Sequence, residues 1–258
     1  MSTMFVAFIK MSVAALLTPP QLSTRNCLQL IRRDAVLGGT AALIAGSCAK
    51  AEEPPYRVAL TVLLDRQTKT EGRVILEVLP DWAPLAAARF KELVELGFYT
   101  RSRFHRVLPG FLPGDLAIAQ FGISTSRELN QEWLCATCKR LPDEKRRQSN
   151  TKGTVSFAQA SQPGTRQTQV FINLADNGGL PNFLDNQNFT PFARVVSGME
   201  YLTRLRAESQ VSQPKAAYYC EEYLDEVFPQ LSLIEDAVRM PLSQQADPRR
   251  TTSASDQR

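Results

Sequence analysis

His105 and Arg106 stand side by side in FHRVLPGF, and His105 is the single histidine among 258 residues. A Ser-His-Asp or Cys-His nucleophile would have to use that one imidazole, and no Gly-x-Ser-x-Gly turn accompanies it. Metal centres built on several histidines are excluded, and no glycine-rich phosphate loop is present. No metal or cofactor is therefore expected. What remains is Arg106 in an apolar setting of Phe104, Phe111, Phe171 and Phe183, with the amide side chains of Gln120, Gln159 and Gln169. A guanidinium and amides donate hydrogen bonds without exchanging protons at neutral pH. Such a set suits binding and electrostatic stabilisation better than acid-base work.

The elements that must position these residues are mostly short strands. After Pro54-Pro55, YRVALTVLLD and GRVILEVLP alternate with period two around the polar RQTKTEG, which predicts an antiparallel hairpin. DWAPLAAARFKELVELGFY carries Ala86, Phe90, Leu93 and Val94 at helical spacing, with Pro84 suited to the first turn and Gly97 to the stop. GTVSFAQA, TQVFINLA, PFARVV and LSLIEDAVRM are further strand candidates, and SGMEYLTRLRA predicts a second helix. Two helices among many strands, without regular alternation, argue a mostly β domain with helical caps.

The net charge of +4 invites a nucleic-acid partner. Its distribution removes that case, because residues 1–51 hold Lys10, Arg25, Arg32, Arg33 and Lys50 against Asp34 alone, and the rest is balanced. That first segment reads as an address. IRRDAVLGGTAALIAGSCAKAEE fits a twin-arginine export signal with small residues at a cleavage point near Ala51. The upstream stretch is free of acidic residues up to Arg33, which suits a multi-part plastid presequence. The expected compartment is the thylakoid lumen of a chloroplast, with the bacterial periplasm as the alternative, and no stable membrane span after cleavage. The domains are then a presequence over 1–51, one folded domain over 55–240 and a polar, disordered tail over 241–258.

Cys135 and Cys138 form a CxxC that no second CxxC or distant histidine completes into a zinc set, leaving a redox pair or two surface cysteines.

FHRVLPGF, AQFGIS, GTVSFAQA, TQVFINL and NFLDNQNFTPFARVVSGMEYL, in this order, resemble the cyclophilin family of peptidyl-prolyl cis-trans isomerases. The resemblance implies a closed antiparallel eight-stranded β-barrel capped by two α-helices. It implies proline-containing polypeptides as substrates and cyclosporin-like ligands as further binders. By motif, Arg106 is the catalytic donor, Phe111 and Phe171 line the proline pocket, and Gln120 and Gln169 hold substrate carbonyls. Ala158 and Gln159 face the residue before proline, and Phe183, Leu184 and Phe189 complete the walls.

Four departures accompany the match. Gln159 stands where asparagine is usual, Phe183 where many members have tryptophan, and Phe189 near a usual histidine. Eight residues, LPGDLAIA, separate Phe111 from Gln120, far more than the family spacing. That insertion either loops out locally or pushes Gln120 from the site. In the second case the protein is a proline-segment binding module or assembly chaperone rather than an isomerase. A second insertion, residues 124–153, is highly charged and reads as solvated surface or as a partner-recruiting arm.

Overall fold

The computed structural model describes residues 53–241 apart from Pro113, Ala136 and Ser161; the segment expected to be a presequence, 1–51, and nearly all of the expected tail, 241–258, lie outside the described residues. Eight strands form one antiparallel sheet: β1 (Tyr56–Asp65), β2 (Thr70–Val78), β3 (Arg106–Leu108), β4 (Ile118–Phe121), β5 (Thr154–Phe157), β6 (Val170–Asn173), β7 (Pro191–Ser197) and β8 (Leu233–Arg239). Their spatial order is β3-β4-β6-β5-β7-β2-β1-β8. The sheet curls until its two ends approach, where Arg103 and Leu233 form an isolated bridge just before β3. The sheet forms a half-barrel, and between its end strands β3 and β8 no continuous ladder is present among the described residues.

The hairpin arises as its alternation predicts. Val58, Leu60 and Val62 of β1 and Val74, Leu76 and Val78 of β2 are buried. α1 (Pro84–Glu95) covers the core with Ala86, Ala87, Phe90, Leu93 and Val94. Phe90 stacks at 5.1 Å on Phe192 and 5.4 Å on Tyr99, and burying one such ring stabilises by about 2–3 kcal/mol.

Two expected helices become four among the described residues. SGMEYLTRLRA yields only the short α3 (Met199–Leu202), whereas α2 (Arg127–Trp133) and α4 (Gln213–Val227) are additional. α4 is two helical pieces joined at Cys220, whose φ of 51° and ψ of −127° interrupt the turn pattern. α2 and α4 pack together over a second apolar cluster containing Ile123, Ala216, Leu224 and Leu231. The Asn130 side chain links them by donating to Ser124 O and Ala217 O.

The charged insertion is bound into the domain. Its Glu144 carboxylate accepts from the backbone N–H groups of Leu85 and Ala86 at 2.6 and 2.9 Å. It thereby supplies the acidic first turn that α1 itself lacks. Arg147 donates to Asp81 O, and Asp143 pairs with Arg166 at 2.7 Å.

Candidate functional site

Strand register assembles the centre of the site. Arg106 on β3 lies opposite Gln120 on β4, and Gln120 lies opposite Phe171 on β6. Directly paired residues project to the same face of a sheet. The three side chains therefore form one row across three strands. All three line a cleft of about 420 Å³, together with Ala158, Gln159, Gln169, Leu184 and Phe189. Gln120 Nε2 donates to Gln169 Oε1 at 2.8 Å, which leaves the amide N–H groups of Gln169 for other acceptors.

A close backbone approach seats Gln169. Gly122, at the end of β4, has φ of +111°, and a Cβ there would lie 2.5 Å from Thr168 O and 2.7 Å from Gln169 Cα. Glycine alone fits such contact and such a dihedral. Thr168 Oγ1 donates back to Gly122 O at 2.8 Å, and Tyr99 Oη donates to Thr168 O at 2.9 Å.

The apolar floor is Ile118, Phe171 and Leu184, with Leu116, Ala158 and Phe189 packed against them. Phe189 meets Phe171 edge-on at 5.4 Å, a favoured aromatic geometry. Leu184 opens the 3-10 helix Leu184–Gln187, whose Asp185 accepts from Ser149 Oγ and from Asn150 N and Nδ2. Burial pushes the Asp185 carboxyl upward, but those hydrogen bonds and Arg146 outweigh it and hold the group below its usual range.

The structure places Phe111 elsewhere than the resemblance implies. It is 83% exposed and lies outside the cleft. The chain leaves the sheet after Leu108, turns at Gly110 with φ of +68°, and closes a small loop in which Leu112 N donates to Asp115 Oδ2 at 2.9 Å. Phe111 faces outward there, while Leu116 and Ile118 line the cleft. Phe183 is also outside the cleft, 40% exposed, at a left-handed position just before the 3-10 helix. Gln120 stays in place, 4% exposed and in register. The first insertion thus loops out locally.

Leu116 and Ile118 carried a readable signal, since both share the period-two face of Gln120. Gln167 had none. It lines the cleft and donates to the carbonyls of both Cys135 and Cys138 at 2.7 Å. Those cysteines are joined in a disulfide.

His105 is fully buried, and burial lowers its pKa to about 4, against smaller upward pulls from the Gln169 side chain and the Arg103 backbone. Gln169 and the Arg103 backbone lie near the ring, but among the described residues neither ring nitrogen makes a well-aligned hydrogen bond. A neutral, enclosed imidazole offers no proton to a substrate at physiological pH.

Residues 63–220 match the family model described as cyclophilin type peptidyl-prolyl cis-trans isomerase/CLD. The chain belongs to the cyclophilin family. Among its relatives, peptidyl-prolyl cis-trans isomerase A of Dickeya dadantii is 31% identical over 152 residues, covering 59% of this chain and 74% of that one. A probable peptidyl-prolyl cis-trans isomerase of Brucella abortus is 33% identical over 144 residues, covering 54% and 69%. A solved Cryptosporidium parvum cyclophilin type isomerase, crystallised in the presence of the dipeptide Ala-Pro, superposes with a TM-score of 0.48 at 21% identity, covering 72% of this chain and 99% of that one. Within this cyclophilin, the arginine and both cleft glutamines lie on or beside paired strands, while the altered wall residues lie on loops.

Proposed function

We propose that this cyclophilin accelerates rotation about Xaa-Pro peptide bonds of folding or assembling polypeptides with Arg106 as the catalytic donor. Amide resonance imposes a barrier of about 18–20 kcal/mol. Rotation breaks the resonance and leaves a lone pair on the prolyl nitrogen. A guanidinium N–H aimed at that pyramidal nitrogen gains more in the transition state than in the planar ground state. Ile118, Phe171 and Leu184 hold the prolyl ring, Gln120 and Gln169 hold flanking carbonyls, and no proton leaves the protein. The observation that carries this reading is the register row Arg106-Gln120-Phe171 beside an apolar floor.

The test is two-dimensional NMR exchange between cis and trans forms of a short Ala-Pro peptide, with the protein and with Arg106→Ala. Acceleration that is largely lost in the variant supports the reading; peptide binding without acceleration in the parent refutes it. Cyclosporin-like macrocycles are proposed competitors for the same cleft.

The thylakoid lumen is the proposed place of action, supported by the paired arginines and small-residue cleavage point of the presequence. N-terminal sequencing of the native protein tests it, and a start far from Glu52 counts against it.

A further inference from the structure

Among the described residues, Arg166 is the largest completely buried side chain, 1% exposed, on a loop beside the cleft. Arginine is seldom enclosed unless it is paired on several sides. Its Nη2 donates to Asp143 Oδ1 at 2.7 Å and to Asn188 O at 2.9 Å, and its Nε donates to Gln159 Oε1 at 3.3 Å. Its own carbonyl accepts from Leu141 N at 2.8 Å. Asp143 Oδ1 also accepts from Gly164 N at 3.1 Å. Three segments therefore meet at one guanidinium: the charged insertion, the strand end carrying Gln159, and the loop carrying Gln187 to Phe189.

Two of those segments are cleft wall, since Gln159, Gln187 and Phe189 all line it. Gln159 Nε2 donates to Gln187 O at 2.6 Å. A glutamine amide has two N–H groups and two acceptor lone pairs. Arg166 takes one lone pair and Gln187 takes one N–H, which sets the amide's direction. The carbonyl end must face the guanidinium, because the reverse orientation would oppose N–H to N–H. One N–H and one lone pair remain, held in a fixed direction at the wall.

We propose that Arg166 is a positioning residue for peptide binding: it fixes the Gln159 amide and the adjacent Asn188 backbone in the cleft wall, with Asp143 of the insertion as its counter-ion. This rests on the isomerase reading and deepens it. The insertion is then part of the peptide site, reaching it through Asp143 rather than by touching substrate. Arg106 sits on β3 and is not among the hydrogen-bond partners of Arg166, so Arg166 acts on the holding of the peptide and not on the rotation step.

The experiment compares the parent chain with Arg166→Met, Asp143→Ala, Gln159→Leu and the two double variants with Gln159→Leu, reading kcat and KM for an Ala-Pro peptide by NMR exchange. Thermal melts identify which variants fold. Arg166→Met and Gln159→Leu are each expected to raise KM about tenfold with kcat within about twofold, the scale of one lost charge-assisted hydrogen bond. Adding either other change to Gln159→Leu should raise KM little further. A fall in kcat, or an Arg166→Met effect of undiminished size in the Gln159→Leu background, overturns the proposal. If Arg166→Met does not fold, the Asp143→Ala cycle decides by the same criterion. A second readout needs no turnover: the two side-chain N–H signals of Gln159 should shift and broaden in Asp143→Ala, and unchanged signals overturn the proposal. A parent chain that binds peptide but gives no acceleration defeats the isomerase reading alone, and the Gln159 signals then still decide the role of Arg166.

Discussion

The cleft has one wall built by strands and one built by loops, and they respond differently to the same kind of sequence change. On the strand side, an insertion of several residues between Phe111 and Gln120 leaves Gln120 opposite Arg106. Ladder hydrogen bonds and a buried face specify register, so a slip would send every side chain of β4 to the wrong face. On the loop side, nothing comparable ties Phe111, and the extra residues carry it into solvent. Groups placed on paired strands thus keep their register across a nearby insertion, whereas a residue on a loop does not, and the cleft floor there is Ile118 with Leu116 packed against it.

The largest effect should come from the strand wall. Arg106→Ala is expected to lower kcat/KM for an Ala-Pro peptide by about 10²–10³, the usual loss for one preorganised donor. A fall of less than about threefold would mean that the row does not carry the rotation step.

Next comes the protonation of His105, immediately beside that row. Its pKa is about 4 in the fold against an ordinary value of 6.5. Between those values the unfolded chain binds more protons, so the stabilising contribution is complete above pH 6.5 and is lost as pH falls through 4. Its full size is roughly 3 kcal/mol. Urea denaturation at pH 7 and pH 4 should show this loss for the parent chain and a smaller one for His105→Phe, which removes the titrating group. Equal losses would place the acid sensitivity elsewhere.

Gly122→Ala should destabilise the domain by about 2 kcal/mol, through its positive φ and the approach of Thr168 O. The same variant should weaken peptide binding, because Gln169 must move. Unaltered stability would show that the strand end has room to shift.

The smallest effect belongs to Phe111, which lies outside the cleft. Phe111→Ser should change stability by less than about 0.5 kcal/mol, as expected for an exposed side chain. It should also leave kcat/KM within about twofold. A large loss of activity would return Phe111 to the proline pocket and erase the contrast between the walls.

The same contrast explains what could be read from the amino-acid pattern. The hairpin of β1 and β2 and the first helix were legible, because alternation and helical spacing are local consequences of burial; Arg106, Gln120 and Phe171 were named only through the family resemblance, and the insertion left the place of Gln120 open. α4 was not legible, since its buried stripe is only Ala216, Cys220 and Leu224 on an otherwise polar helix. The position of Phe111 was not legible either. Motif order preserves sequence neighbours, but whether an inserted loop turns inward or outward depends on packing partners far along the chain. Arg166 looked like any polar loop residue, and its burial comes from Asp143, Asn188 and Gln159, each remote or non-periodic in sequence. How closely the two ends of the sheet approach likewise depends on how strongly eight strands twist, which no single strand reveals.

The most direct test of which wall holds the proline is a set of intermolecular nuclear Overhauser effects from the prolyl ring protons of a bound Ala-Pro peptide, with methyl and aromatic groups of the protein labelled. Contacts to Ile118, Leu184 and Phe171, with none to Phe111, are the expected result. Contacts to Phe111 without Ile118 would contradict the strand-built pocket.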